Sequence, residues 1–144
     1  MLTGMNPAAA KRPGGKPDER QPRIVGVDHV QITIPVGCEQ AAREFYCEFL
    51  GVAEISKPEP LRSRGGLWLQ CGDLPVHVGV EDTEGRQSTK AHVAYVVTDL
   101  AKWRDRLQKR GIEVFESVPI PGYLRFEFRD PFGNRVELVQ PTTT

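Results

Sequence analysis

The chain contains the same predicted order of elements twice between residues 27 and 140, and this repeat limits its fold more than any other feature. Each half reads as a strand, a helix and three further strands. Strands are predicted where apolar and polar residues alternate, and helices where apolar residues recur every three or four positions. One unit of about 55 residues is too small to bury its own sheet comfortably. Two units packed together are therefore expected to form one domain.

The predicted elements follow from these two periodicities. In the first half they are a strand at 27–34, a helix at 39–50, a short strand at 52–55, and strands at 66–72 and 75–81. The loop at 57–66 fits no single assignment. In the second half they are a strand at 91–99, a helix at 100–110, and strands at 112–116, 123–130 and 134–140. Asp99 is the predicted helix cap and Gly111 the predicted helix end.

The pattern predicts an α+β fold in which two βαβββ modules form a curved mixed-sheet cleft, with the helices on the outer face. The expected single domain spans 24–141, with module 1 at about 26–81 and module 2 at about 91–140. Residues 1–23 are rich in Pro, Gly, Lys and Arg and have almost nothing to bury, so they are predicted to be a flexible N-terminal tail.

Composition excludes several classes of partner. Acidic and basic residues are equal in number, 19 each, so no net field favours nucleic acid or an anionic membrane. No apolar run approaches the roughly 20 residues needed to cross a bilayer, and the N-terminus lacks the apolar core of a signal peptide. Cys38, Cys47 and Cys71 are odd in number and show no C-x-x-C spacing. Reduced thiols and a cytoplasmic location are therefore expected.

Four residues that can bind a metal occupy equivalent places in the two halves. All three histidines of the chain are predicted to lie in strands, on the face opposite the β-branched and large apolar residues. His29 and His92 lie in the first strand of each half, whereas His77 and Glu137 lie in the last. If the sheets curl toward a shared cleft, three imidazoles and one carboxylate meet there. Such a set suits one divalent Zn, Ni, Fe, Mn or Co ion; a metal-free polar cleft is the alternative.

Other polar residues are predicted to line the same cleft and to bind substrate. Arg125 and Glu127 alternate with large apolar residues, so they are expected to face the cleft. Arg125 has two interpretations: a salt bridge with Glu127, or a planar fork that grips an anionic group of the substrate. Three further residues are predicted on this face: Gln31, Trp68 and Gln70. The aromatic residues Tyr46 and Trp103 are instead expected between helix and sheet.

The sequence resembles the vicinal oxygen chelate superfamily, which includes glyoxalase I, fosfomycin-resistance thiol transferases, extradiol dioxygenases and bleomycin-resistance proteins. The resemblance covers about 27–140 and is carried by DHVQITI, REFYCEFLG, AHVAYVVTDL, QKRGIEV and RDPFGNRVELVQ. It implies a glyoxalase-like fold, with metal ligands on the first and last strands of each unit. These positions map here onto His29, His77, His92 and Glu137. Glyoxalase I usually has a carboxylate where this chain has His77.

The resemblance implies a fold more firmly than a reaction, because one scaffold supports many chemistries. The expected function is that of a metal-dependent, glyoxalase-like lyase or isomerase. Its substrate would be small, oxygenated and anionic, and would be chelated through adjacent oxygens, with Glu137 as the proton acceptor. The alternative is a non-catalytic protein that binds or sequesters a small molecule, of the bleomycin-resistance type.

The connection between the two modules predicts how the chain assembles. Only the ten residues Asp82 to Ala91 join the last strand of module 1 to the first strand of module 2. In related short-chain members the cleft is closed by exchanging units between two chains. We therefore expect a homodimer with two sites, each taking His29 and His77 from one chain and His92 and Glu137 from the other.

Overall fold

The computed structural model describes residues 18–142 and contains two four-stranded sheets. The strands of the first sheet are β1 (Val30–Ile34), β2 (Ala53–Ile55), β3 (Leu67–Cys71) and β4 (Leu74–Val80). Those of the second are β5 (His92–Val96), β6 (Phe115–Glu116), β7 (Tyr123–Arg129) and β8 (Arg135–Pro141). The helices are α1 (Glu39–Ala42), which continues as a π-helical segment (Arg43–Phe49), a 3₁₀-helix (Glu59–Arg64) and α2 (Leu100–Lys109). Most of the predicted N-terminal tail, residues 1–17, lies outside the described residues.

The two sheets have the same topology, which confirms the predicted repeat. Their strand orders are β1-β4-β3-β2 and β5-β8-β7-β6. In each sheet the first and last strands of the module pair in parallel, and the other neighbours are antiparallel. Both sheets are therefore mixed. The first strand of each module lies at a sheet edge.

Some predicted boundaries were wrong. Strand β1 begins at Val30 rather than at residue 27, because its pairing with β4 begins at the Val30–Val76 pair. His29 therefore lies one residue before the strand in which it was predicted. The first helix follows its apolar spacing but is mostly π-helical, with Leu50 N donating to Phe45 O at 2.9 Å. Hydrophobic spacing alone does not distinguish this rare conformation from an α-helix.

Helix α2 begins and ends as predicted. The Asp99 side chain accepts a hydrogen bond from Lys102 N at 3.1 Å, and Gly111, with a φ of +78°, follows its last turn. Leu100 and Leu107 are buried, and Trp103 packs beside them, because these positions share one helical face. The helix is thereby fixed against the core at both ends.

The apolar faces of both sheets contribute to one core, together with the first helix and α2. In β4, Val76 and Val78 are 0% and 2% exposed. In β8, Val136 and Leu138 are likewise buried. Successive strand residues point to opposite faces, so the polar face of each sheet is turned away from the shared core. The helices pack against the apolar faces, on the side opposite the polar faces, as expected.

A buried carboxylate ties the two modules together. Asp130, in the turn between β7 and β8, is 5% exposed and accepts a 2.6 Å hydrogen bond from the Tyr46 hydroxyl of module 1. It also accepts bonds from Phe132 N at 2.9 Å and Asn134 N at 2.8 Å. Burial raises the pKa of Asp130, although each of these hydrogen bonds acts in the opposite direction. The Asn134 side chain adds a second link by donating to Thr33 O at 2.8 Å.

The segment between the modules is also held in place. Arg86, in the middle of this connection, is 7% exposed, and its Nε donates to Thr33 Oγ1 of β1 at 3.0 Å. From module 2, Arg129 donates to the carbonyls of Arg86 and Thr89 at 3.0 and 3.1 Å. The connection therefore bonds to both modules and fixes their relative position.

Among residues 18–142, no helix is long and apolar enough to cross a membrane. Cys38, Cys47 and Cys71 are free thiols, and burial raises the pKa of Cys47 and Cys71.

We predict that Tyr46→Phe lowers the free energy of unfolding by about 1–3 kcal/mol, because Asp130 then loses a donor inside the core. A double-mutant cycle with Asp130→Asn should show coupling, because the two side chains are in contact. The measurement is urea unfolding of the four proteins. Tyr123→Phe is the matched control, since Tyr123 is 49% exposed. Equal stability of the Tyr46→Phe and Tyr123→Phe variants would show that the buried bond does not tie the modules together.

Candidate metal centre

Module 2 brings two predicted ligands together. His92 is the first residue of β5, and Glu137 lies in the middle of the neighbouring strand β8. His92 Nε2 is 3.0 Å from Glu137 Oε2, and Glu137 is 7% exposed. The other imidazole nitrogen, Nδ1, is 2.8 Å from the Lys90 carbonyl, which can only accept a proton. Nδ1 therefore carries the hydrogen, and in the neutral ring Nε2 presents its lone pair.

The distance between these two atoms fits a shared metal ion. Two ligand atoms that each lie about 2.1 Å from an ion, at a right angle to one another, are about 3 Å apart. The observed separation of Nε2 and Oε2 is 3.0 Å. Imidazole and carboxylate are common ligands of divalent transition metals. The separation of the two ligand atoms is therefore compatible with such an ion.

Two arginines compensate the negative charges of Glu127 and Glu137. Glu127 of β7 lies directly opposite Glu137 of β8 in the strand register, and like charges in this position destabilise a sheet. Arg125 Nη1 contacts Glu137 Oε1 at 3.0 Å, and Arg135 contacts both oxygens of Glu127 at 2.9 and 2.6 Å. Arg135 holds the pKa of Glu127 below its usual value. Each carboxylate is thus paired diagonally across the two strands.

This pairing overturns the predicted Arg125–Glu127 salt bridge. Arg125 contacts Glu137 instead, and it also donates to the Val118 carbonyl at 2.6 and 3.2 Å. The reason is register, because Arg125 and Glu137 are diagonal neighbours on adjacent strands. The ligand atoms of His92, Glu127 and Glu137 all lie within 4.8 Å of one another. Glu127, predicted to contact substrate, is therefore near enough to act as a ligand.

Module 1 forms a second pair of candidate ligands. The ring of His77 stacks on Trp68, with centroids 3.9 Å apart, and on His29, with centroids 4.0 Å apart. His29 Nδ1 is 2.8 Å from a carboxylate oxygen of Asp28, which orients the ring. Burial lowers the pKa of His77, and the neighbouring His29 adds to the shift. The neutral imidazole, which is the form that binds metals, is thereby favoured.

The two remaining predicted contact residues, Gln31 and Gln70, have different surroundings. Gln31 lies across Gly79, where an added Cβ would be 3.0 Å from Gln31 Nε2. The absence of a side chain at Gly79 therefore makes room for Gln31 beside His77. Gln70 instead donates to the carbonyl of Gly72 at 2.7 Å and so holds the turn between β3 and β4.

Sequence reasoning missed two residues of this site, Asp28 and Arg135. The signal for Asp28 was its position directly before His29, since a carboxylate often orients a ligating histidine. The signal for Arg135 was its spacing of two residues from Glu137, which puts both on one face of β8.

One chain does not assemble all four predicted ligands. Within residues 18–142, the single cluster of metal-binding side chains is the one in module 2, and it includes neither His29 nor His77. The cause is the packing of the sheets, whose apolar faces share a core and whose polar faces are turned away from it. Each chain therefore carries two separate pairs of ligands.

Comparisons with known proteins agree with this architecture. Residues 26–138 match the family model of the Glyoxalase/Bleomycin resistance protein/Dioxygenase superfamily. A protein from Bacillus anthracis named as a glyoxalase family member is 43% identical, with a TM-score of 0.76, and the match covers 85% of this chain and 99% of that one. No curated protein matches the chain.

Two more distant structures share the fold. The fosfomycin resistance protein FosX from Listeria monocytogenes, crystallised with Mn(II) and sulfate, is 18% identical with a TM-score of 0.65; the match covers 83% of this chain and 93% of that one. TnmS3, an antibiotic-binding protein from Streptomyces sp. CB03234, is 24% identical with a TM-score of 0.60, covering 83% and 100%. At these identities the likeness concerns the fold alone.

Proposed function

Because this chain belongs to the Glyoxalase/Bleomycin resistance protein/Dioxygenase superfamily, we propose that it is a metal-dependent enzyme of the glyoxalase type, a lyase or isomerase. Its substrate would be a small, oxygenated anion that chelates the metal through adjacent oxygens. The observation that carries the proposal is the His92–Glu137 pair, whose ligand atoms are 3.0 Å apart and whose imidazole is oriented by the Lys90 carbonyl.

Four side chains would hold the metal: His29, His77, His92 and Glu137. The ion would be divalent Zn, Ni, Fe, Mn or Co, and it would supply Lewis-acid stabilisation of charge on a substrate oxygen. Three neutral imidazoles and one carboxylate leave about one net positive charge on such an ion, which favours an anionic substrate. FosX, which shares the fold, binds Mn(II) in its crystal structure.

Glu137 is the proposed proton acceptor, since it is the carboxylate in the ligand set. Its Oε1 is held by Arg125, and its Oε2 lies on the side of His92. Arg125 therefore orients the carboxylate, and Oε2, the oxygen that would otherwise bind the metal, would accept a proton from a substrate carbon. Returning that proton to the neighbouring atom would complete an isomerisation. Arg125 is a positioning residue in this scheme and is not the predicted grip on the substrate anion.

Each site would be shared between two chains of a homodimer. The two ligand pairs of one chain lie on faces turned away from the common core, and the bonds of Arg86 hold the connection in that arrangement. The first strands β1 and β5 are edge strands, which invite pairing with another chain. Exposed apolar side chains near these edges support the same arrangement: Ile24, Val25, Val27 and Val96 are 95%, 86%, 69% and 71% exposed.

A second candidate function is non-catalytic binding of a small molecule. It is favoured by the contact of Glu137 Oε1 with Arg125, which balances the charge of the carboxylate without an ion. TnmS3, with the same fold, is an antibiotic-binding protein. For either function, the balanced charge and free thiols support a cytoplasmic protein that acts on small molecules rather than on nucleic acid.

We predict that untagged protein purified without chelator contains about one divalent transition metal per chain. His77→Ala and His92→Ala should each weaken metal binding at least tenfold, because each removes a direct ligand. Elemental analysis and competition with a chelator measure this. Gln70→Ala is the control on the same sheet face. Full metal content in both histidine variants would show the ligand assignment to be wrong, and metal-free wild-type protein would favour the binding function.

We predict that Glu137→Gln lowers kcat by about 10²–10⁴-fold, because a carboxamide cannot accept the proton. Some metal should remain, since the amide oxygen is still a ligand. The assay screens small dicarbonyl and oxo-acid substrates, including the methylglyoxal–glutathione adduct, and metal content is measured on the same samples. Full activity of the variant on a substrate that the wild type converts would exclude Glu137 from the chemistry.

We predict that His29→Ala and His92→Ala chains complement one another in a mixed dimer. In a shared-site dimer, one site of the heterodimer carries both changes and the other carries neither, so one intact site is restored. The heterodimer is isolated with two different tags, and its metal content is compared with that of each homodimer. If each site lay within one chain, every site would keep one change and metal binding would not recover. A monomer in sedimentation at micromolar concentration would contradict the shared site.

A further inference from the structure

A cavity of about 380 Å³ lies in module 1 beside His77. Trp68 and Gln31 form part of its lining, and the 3₁₀-helix Glu59–Arg64 contributes Leu61 and Arg64. Among the described residues that line it, the two with full charges are Lys57 and Arg64, and no carboxylate is present. The cavity is therefore cationic, with an aromatic wall.

The charge of Arg64 is not compensated within the described part of the chain. There Arg64 takes part in no ion pair and no side-chain hydrogen bond, whereas Arg62 of the same helix contacts Glu59 at 2.6 Å. Lys57 Nζ donates to the Gly65 carbonyl. The nearby Glu39 carboxylate accepts from Gly66 N at 3.1 Å, and its pKa is lowered chiefly by that bond and more weakly by Lys57. One arginine of the 3₁₀-helix is thus neutralised at the surface, and the other lines the cavity.

The wall that carries Arg64 is fixed in position. Gly66 has a φ of +78°, and a Cβ added to it would lie 2.1 Å from the Val78 carbonyl of β4. Only a glycine permits this close approach. The bond from Gly66 N to Glu39 holds the same point from the other side. Arg64, two residues earlier, is therefore carried on a backbone anchored to the strand that holds His77.

We propose that this cavity binds a carboxylate group of the substrate, with Arg64 and Lys57 as the recognition residues and Trp68 and Leu61 against its apolar part. An arginine fork matches the two oxygens of a carboxylate, and a cation without an acidic partner has no ion pair to break when it binds one. Arg125 is not free for this role, because it is bonded to Glu137 and Val118. The catalytic relevance of the cavity rests on the proposed function, but carboxylate binding does not.

The test uses 3-phenylpropionate as the probe and its neutral amide, 3-phenylpropanamide, as the isosteric comparison. The chain has two tryptophans, so Trp103→Phe leaves Trp68 as the single fluorescent indole next to the cavity. Titrations follow the fluorescence of the full-length protein as purified, and are repeated after removal of metal with a chelator. Calorimetry on protein that retains Trp103 checks that the background substitution does not alter binding.

The acid should bind roughly tenfold or more tightly than the amide, in both the purified and the chelator-treated protein. Arg64→Gln should remove most of this preference, Arg64→Glu should abolish acid binding, and Lys57→Gln should weaken it. Arg62→Gln, which removes the same charge from the same helix outside the cavity, should leave it unchanged. Circular dichroism confirms that each variant is folded.

Three results would overturn the proposal: equal affinity for acid and amide, equal losses in the Arg64→Gln and Arg62→Gln variants, or no saturable binding of the acid at millimolar concentration. Acid binding that disappears with the metal would also overturn it, because the carboxylate would then have been a metal ligand. Because the titration of chelator-treated protein needs no metal, a failure to bind the acid would not contradict the proposed metal centre. Likewise, metal-free wild-type protein would not contradict binding of the acid in the cavity.

Discussion

The buried carboxylate of Asp130 is the interaction on which the arrangement of this protein depends. It accepts hydrogen bonds from Tyr46 of the first helix and from the backbone of its own turn. That turn sets the register between β7 and β8, and the register places Glu127 opposite Glu137. The same side chain therefore joins the two modules and fixes the strands that carry the candidate ligands. Because a buried carboxylate is costly unless its bonds are made, this region has little freedom to adopt other geometries.

The second constraint is that each sheet has one apolar face. A module of this size cannot bury that face alone, so the two modules and their helices share a core. This sharing turns the polar face of each sheet away from the common core, and Arg86 and Arg129 bond the connection to both modules. Burial of the apolar faces thus separates the two ligand pairs of one chain. In the proposed dimer, a second chain would bring complementary pairs together.

The sequence could predict the fold because the evidence for it is local. Alternation, helical spacing and the turn at 130–134 gave the element order, the repeat and the faces of His77 and Glu137. The π-helical segment could not be predicted, because it shares the apolar spacing of an α-helix. The diagonal pairs of Arg125 and Arg135 depend on the register between strands, which one strand does not reveal. His29 fell outside β1 because the end of a strand is set by its partner's backbone.

The two modules share one topology but differ in the charges on their polar faces. In module 2, both carboxylates of the candidate site are paired with arginines, which leaves the polar face close to neutral and holds Glu137 in one orientation. In module 1, burial lowers the pKa of His77, and the cations Lys57 and Arg64 beside it have no ion-pair partner within residues 18–142. A site that combined one face of each kind would have its proton acceptor on one side and its positive charge on the other. An anionic substrate placed between them would be attracted at the end remote from Glu137, so binding and proton transfer would act on different groups of the same molecule.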